Sequence, residues 1–99
     1  MEKRLGIIAV IVNDRSSVSR LNAILGERAD LITARLGLPM RGRGISLISL
    51  VVEGDTDELG ALTGRIGRLP GIQVTSVLTK FKEASDGTQD LGGDGKALH

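Results

Sequence analysis

The chain contains no cysteine, and its single histidine is the last residue, His99. Without thiols it can form neither disulfides nor thiolate metal sites, and one terminal imidazole cannot build a histidine metal centre. Tryptophan and tyrosine are also absent, which leaves Phe81 as the one aromatic residue. Nucleic-acid bases therefore have no aromatic platform on which to stack. These absences predict a protein without a metal and without a cofactor.

The chain also has no large excess of charge of either sign, because it contains 13 basic and 12 acidic side chains and its formal net charge is +1. A balance this close to neutral argues against duplex DNA and anionic membranes as direct partners. The longest apolar run, residues 7–12, is too short to span a bilayer or to act as a secretory signal. We therefore expect a cytoplasmic protein that does not contact a membrane.

The distribution of apolar residues predicts one small domain. Residues 82–99 are rich in glycine and polar side chains and read as a disordered C-terminal tail, which leaves residues 1–81 to fold. A core built from so few residues is only marginally stabilising, and neither disulfides nor metal can assist it here. Self-association is the remaining source of additional stability.

The first half of the chain predicts a strand, a helix and a hairpin. Residues 5–12 are a continuous apolar run, typical of a strand buried on both faces. Polar residues 13–17 then offer helix caps, and helical spacing relates Val18, Leu21, Ile24 and Leu25. From residue 31 to 38 the pattern has a period of two, with Ile32, Ala34, Leu36 and Leu38 expected on one face. Pro39 is expected to end this strand, before a turn at residues 41–44 and a strand over 45–52.

The second half predicts another helix and a last strand. Asp55 and Glu58 have the spacing of a capping box, and the apolar stripe of the helix consists of Leu59, Leu62, Ile66 and Leu69. Glycines at 60, 64 and 67 weaken a helix, so either packing rescues it or its backbone closely approaches a neighbour. The first explanation is favoured. Residues 72–81 alternate again and predict the final strand.

The resulting order, β-α-β-β-α-β, predicts an α+β fold, the ferredoxin-like sandwich. Its four-stranded antiparallel sheet would carry both helices on one face, with the first and third strands in the centre. Both central strands are apolar on each face, so one face of the sheet would remain exposed. We expect a second copy to cover it, in a dimer or a tetramer that forms through this open face or through a sheet edge.

The sequence resembles the family of iron-only hydrogenase system regulators. The segments that carry the resemblance are EKR at 2–4, NDRSSV at 13–18, RLGLP at 35–39, RGISLISL at 43–50 and LTGRIGRLPGI at 62–72. The resemblance extends over about residues 1–80. It implies an ACT-like domain, similar to the C-terminal regulatory domain of nickel-responsive repressors, and a transcription-associated role. Unlike those repressors, the protein is expected to have no DNA-reading segment ahead of its first strand, and its sequence lacks the histidine and cysteine ligands for nickel.

Two groups of residues are candidates for binding. The turn Asn13, Asp14, Arg15, Ser16 and Ser17 corresponds to a region that often lines effector pockets in ACT-like domains, although ordinary helix capping is the favoured explanation. Arg35, Arg41 and Arg43 surround the predicted hairpin and suit an anion or an acidic partner surface. For these three arginines a solvated turn and a charged sheet edge are favoured.

No pattern of residues indicates catalysis. Paired carboxylates, a serine with a histidine and metal-ligand spacing are all missing from the sequence, so we predict no catalytic residues. The leading hypothesis is a homo-oligomeric ACT-like regulatory module that senses a small effector or docks a protein partner in a hydrogenase-related system. The alternative is a transcriptional regulator that binds a promoter directly. A small enzyme is a third hypothesis, with the least support.

Overall fold

A computed structural model describes residues 2–80, which form four strands and two helices. In chain order these are β1 (Arg4–Val12), α1 (Val18–Glu27), β2 (Ile32–Met40), β3 (Ile45–Gly54), α2 (Thr56–Gly67) and β4 (Ile72–Leu78). Single 3₁₀ turns occupy Arg15–Ser17, Ala29–Leu31 and Arg41–Arg43. The tail predicted over residues 82–99 lies outside the described residues. The last strand is shorter than expected and ends at Leu78.

The strands form one antiparallel sheet in the order β2-β3-β1-β4, which confirms the ferredoxin-like topology. As predicted, β1 and β3 are the central strands. Alternate residues of these strands point to opposite faces. Those on the helix-bearing face are buried together with the apolar stripes of α1 and α2: Ile8, Val10, Val12, Ile48, Leu50, Val52, Leu21, Ile24, Leu25, Leu59, Leu62 and Ile66. Each fully buried side chain of this size contributes about 1.5–3 kcal/mol to folding.

A β-bulge near the start of β2 changes which residues share a face. Ile32 pairs with Val52, but Ala34 already pairs with the next residue of β3, Val51. β2 therefore contains one extra residue between these two pairs. Ile32 therefore belongs to the helix-bearing face of the sheet. The opposite face carries Ala34, Leu36 and Leu38. The expectation that Ile32, Ala34, Leu36 and Leu38 share one face was wrong for Ile32.

Pro39 lies inside β2 rather than at its end. It pairs with Ser46, and the strand continues to Met40. A proline is tolerated there because β2 is an edge strand, whose outward N–H groups have no partner in the sheet. Gly44, with a φ of 68°, completes the hairpin to β3.

The opening of α2 carries the predicted capping box. The Asp55 carboxylate accepts a hydrogen bond from the Glu58 backbone N–H at 2.8 Å, and the Glu58 carboxylate accepts one from the Asp55 N–H at 3.2 Å. Beyond the backbone of α2 itself, a Cβ placed at Gly60 or Gly64 would meet no atom of residues 2–80 within 4 Å. At Gly67, by contrast, a Cβ would lie 3.1 Å from Cγ1 of Val74, so the end of α2 does approach β4 closely. Packing of the apolar stripe supports the rest of the helix.

Candidate functional site

The turn between β1 and α1 is held by its own side chains. The Asp14 carboxylate accepts hydrogen bonds from the backbone N–H of Ser16 at 2.9 Å and from the Ser16 hydroxyl at 2.7 Å. These two bonds, the hydroxyl bond first, lower the pKa of Asp14 below its ordinary value. Asp14 thus caps the 3₁₀ turn Arg15–Ser17.

The same turn is also tied to the connection between α2 and β4. The buried Ser17 hydroxyl donates a 2.6 Å hydrogen bond to the carbonyl of Pro70. The backbone N–H of Asn13 donates one of 2.7 Å to the carbonyl of Gly71. Asp14 packs directly against Gly71, where a side chain would collide with it. Asp14, Ser16 and Ser17 therefore have structural contacts that account for them.

On the other side of this turn lies a concave site of about 770 Å³, which we call the basic pocket. Its floor is a cross-strand row in which Pro39 pairs with Ser46 and Ser46 pairs with Val12. The remaining lining residues come from the start of α1 and from the end of the hairpin: Arg15, Val18, Met40, Arg41, Gly44 and Ile45. Because Val12 is a core residue of the helix-bearing face, the floor of the pocket belongs to that face of the sheet.

The charge of the basic pocket comes from two guanidinium groups. Arg15 and Arg41 line it, and no acidic residue does. Within residues 2–80, neither arginine forms a salt bridge or a side-chain hydrogen bond. An arginine without an internal partner can use its planar fork of donors for a carboxylate or a phosphate.

The structure joins one residue from each predicted group and separates the others. Arg15 comes from the β1–α1 turn and Arg41 from the hairpin. Arg35 instead donates a 3.0 Å hydrogen bond to the Asn22 side chain of α1, and Arg43 does not line the pocket. The floor residues Pro39 and Ser46 were missed by the sequence reading, since only the strand register places them beside Val12.

The face of the sheet that no helix covers is the second candidate site, and we call it the open sheet face. Its residues follow from the register and from strand alternation: Leu5, Ile7, Ala9 and Ile11 of β1, Ala34, Leu36, Leu38 and Met40 of β2, Ile45, Leu47, Ser49, Val51 and Glu53 of β3, and Gln73, Thr75 and Val77 of β4. Leu36 is 67% exposed, Val77 65% and Ile7 45%. A contiguous apolar surface with this exposure is typical of an interaction site.

The relief of the open sheet face is uneven. A row of small residues, Ser49 beside Ala9, runs across the centre. Bulkier pairs flank it on both sides, Val51 with Ile7 and Leu47 with Ile11. A shallow hollow of about 280 Å³, lined in part by Ala9 and Thr75, lies on this face. The exposed Leu36 continues the small row on β2, where it pairs with Ser49.

Two further types of site are absent from residues 2–80. No group of three or more histidine, cysteine, aspartate and glutamate residues in this part of the chain is arranged to hold a metal ion. None of its helices has the length and apolar character needed to cross a membrane.

The fold and the two surfaces define the class as a ferredoxin-like α+β domain that presents an apolar sheet face and a separate basic pocket. The particular family follows from the sequence. Residues 4–76 match the model of the TM1266-like family, described as "Iron-only hydrogenase system regulator, putative", and the chain belongs to this family. The family description is that of a regulator and not of an enzyme. No curated protein matches the sequence.

Solved structures support the same assignment. The chain is similar to protein TM1266 from Thermotoga maritima, with a TM-score of 0.75 and 36% identity over 80% of this chain and all of that one. It also resembles the C-terminal domain of the MgtC protein from Mycobacterium tuberculosis, with a TM-score of 0.58 and 15% identity over 82% of this chain and 93% of that domain. The second likeness concerns the fold alone.

Proposed function

We propose that this protein is an ACT-like regulatory module that works as a homo-oligomer in a hydrogenase-related system, with a second copy of the chain covering the open sheet face. The observation that carries the proposal is the apolar character of that face. Ile7, Leu36 and Val77 all lie on it, and each is largely exposed in a single chain. Association would remove this apolar area from water, which is the main driving force for homodimers.

The size of the open sheet face suits a dimer. Four strands about 4.8 Å apart and about eight residues long make a surface of roughly 19 by 27 Å, or roughly 500 Å². Two copies packed face to face would bury about 1,000 Å², which is about the minimum for a specific interface. The sheet faces of two copies would then pack about 10 Å apart, as in other sheet-on-sheet arrangements.

The relief of the face supports a copy of itself as the occupant. The small row of Ser49 and Ala9 forms a trough between two bulkier rows, and Leu36 projects at the edge in line with this trough. A two-fold axis through the face would allow Leu36 of each copy to enter the trough of the other. Both halves of this match are present on one chain, which is what an isologous interface needs.

The experiment is a mass measurement in solution by light scattering on a sizing column. We expect the wild-type protein to be a dimer or a tetramer at micromolar concentration. The variants Ile7→Asp and Leu36→Asp place a charge on the open sheet face and should yield monomers. Both positions are exposed in one chain, so the variants are expected to fold.

Ser76→Asp is the matched control, because Ser76 is an exposed residue of β4 on the opposite face, next in sequence to Val77. It should keep the wild-type mass. A wild-type protein that stays monomeric at about 100 μM would contradict the proposal, because a regulatory homo-oligomer needs at least this affinity. So would face variants that fold, as judged by circular dichroism, and retain the wild-type mass.

A further inference from the structure

We propose that the basic pocket binds a small aliphatic anion, a carboxylate or a phosphate monoester, with its charged group held by Arg15 and Arg41. This inference names the effector class of the regulatory module proposed above and rests on that function for its meaning. The physical site, however, lies within one chain. All of its lining residues come from one chain, and the floor residue Val12 belongs to the helix-bearing face of the sheet, so binding does not need the second copy.

The first step of the argument is that the two cations are available. Two arginines elsewhere in residues 2–80 are already engaged by carboxylates: Arg28 pairs with Asp30 and Glu58, and Arg65 pairs with Glu27. Arg15 and Arg41 have none there, although they come from segments 26 residues apart in the chain. Two like charges that line one concavity repel each other when it is empty, and a bound anion relieves this repulsion.

The second step concerns Asp14, the acidic residue that precedes Arg15 in the sequence. Its carboxylate is adjacent in sequence to Arg15 but is engaged by the backbone and hydroxyl of Ser16. It packs against Gly71, in the connection to β4, and it does not line the pocket. An internal carboxylate is thus absent from the lining, and the site accepts an external one.

The third step sets the chemical class of the ligand. The volume of about 770 Å³ is within the usual range for small-molecule sites. Apolar side chains supply much of the lining: Val12, Val18, Pro39, Met40 and Ile45. None of the lining residues is aromatic, so a nucleobase would have no stacking partner. Aliphatic chains match such a surface, and flexible Met40 can adapt to them.

The experiment is a titration of the full chain followed by its backbone amide NMR signals, with four probes: hexanoate, hexyl phosphate, inorganic phosphate and hexanol. We expect hexanoate or hexyl phosphate to shift the amides of Val18, Gly44 and Ser46 saturably at millimolar concentration. The better of the two identifies the charged group as carboxylate or phosphate. Hexanol lacks the charge and inorganic phosphate lacks the chain, so both should bind at least several-fold more weakly.

Variants locate the site. Arg15→Gln and Arg41→Gln should each raise the Kd roughly tenfold to a hundredfold, since each removes charge-assisted hydrogen bonds. Arg68→Gln is the control, because Arg68 is exposed and lies outside the pocket, and its Kd should match the wild type. The inference is overturned if neither organic anion binds, if hexanol or inorganic phosphate binds as well as they do, or if Arg68→Gln weakens binding as much as Arg15→Gln.

The monomeric variant Ile7→Asp separates this inference from the proposed function. Because the pocket lies within one chain, Ile7→Asp should bind the preferred anion with the wild-type Kd. Anion binding by a wild-type protein that proves monomeric would uphold the pocket and contradict the homo-oligomer. A stable dimer that binds no probe would uphold the homo-oligomer and overturn the pocket.

Discussion

Gly71 and Asp14 show how strongly single residues are constrained at the junction of β1, α1 and β4. Gly71 has a φ of 67°, a conformation that side chains disfavour, and Asp14 fills the space where its Cβ would be. The carbonyl of Gly71 accepts the hydrogen bond from the Asn13 N–H. Glycine is needed here for both its backbone conformation and its missing side chain.

Gly71→Ala should therefore lower the free energy of unfolding by about 1–3 kcal/mol. Gly64→Ala is the comparison, since Gly64 lies in α2 with open space around it and alanine should raise the free energy by up to about 1 kcal/mol. Urea unfolding of both variants at one protein concentration measures these changes. Equal effects of the two substitutions would contradict the assigned roles.

Asp14 also makes stability depend on acid. Its pKa is lower in the folded chain than its ordinary value of 3.8, because Ser16 hydrogen-bonds to the ionised form. The unfolded chain therefore binds a proton at higher pH than the folded chain does. The stabilisation is present above pH 3.8 and is lost as the pH falls through the folded pKa.

Asp14→Asn should accordingly be less stable than the wild type at neutral pH, and the difference should shrink in strong acid. Thermal unfolding between pH 7 and pH 2 measures it. Ser16→Ala is the matched comparison, because it removes the hydroxyl that donates to the Asp14 carboxylate and should reproduce part of the loss. A pH-independent difference between Asp14→Asn and wild type would contradict this account.

Sequence patterns predicted part of this residue-scale chemistry. Capping by the polar turn was the favoured explanation for residues 13–17, and Asp14 does cap the 3₁₀ turn. The partner of Ser17, the carbonyl of Pro70, is 53 residues away and depends on how two connections pack. The same holds for the placement of Arg15 and Arg41 around one pocket. Local patterns carry no information about such contacts.

At the scale of helices and strands, charged side chains link the start of α2 to the end of α1. Glu58 completes the capping box with one carboxylate oxygen and accepts a 3.2 Å hydrogen bond from Arg28 with the other. Arg28, just after α1, also pairs with Asp30 at 3.0 Å. The start of α2 is thus linked to the end of α1, although these pairs are largely exposed and each contributes little by itself.

Removing the cap should weaken α2 measurably. Asp55→Ala should lower the free energy of unfolding by about 1 kcal/mol, because it leaves the Glu58 N–H without its acceptor. Asp57→Ala, in the same first turn but outside the box, should cost a few tenths of a kcal/mol at most. Urea unfolding followed by circular dichroism compares them, and equal losses would argue against the capping box.

The periodicity of apolar residues predicted the strands and helices and their order along the chain. It did not predict the bulge in β2. A bulge is a property of two paired strands, since it is defined by Ile32 and Ala34 against adjacent residues of β3. One strand read alone shows only its alternation. The bulge decides that Leu36 and Leu38 join the open sheet face, so the full apolar extent of that face became visible only in the structure.

For the whole molecule, residues 4–78 contain every strand and helix of the described part and all of its core. We therefore predict that a chain ending at residue 81 unfolds at the same urea concentration as the full chain, at equal protein concentration, and forms oligomers with the same number of subunits by light scattering. Fewer subunits per oligomer after truncation would show that residues 82–99 take part in assembly and would contradict the proposed two-part organisation.

The pairing of β1 with β4 has a consequence for the connectivity of the fold. Leu5 accepts hydrogen bonds from both the backbone and the hydroxyl of Thr79, so the first and last strands meet side by side. A short peptide joining residues 2 and 80 would turn this pair into a hairpin and make the element order circular. The chain could then be cut at Gly42, in the exposed hairpin end, and start at β3 while keeping every native pairing. In this circular permutant the β1–β4 pair would become a local hairpin, and the β2–β3 pair would join the two ends of the chain. The order in which the strands pair during folding would change, while the folded state would stay the same.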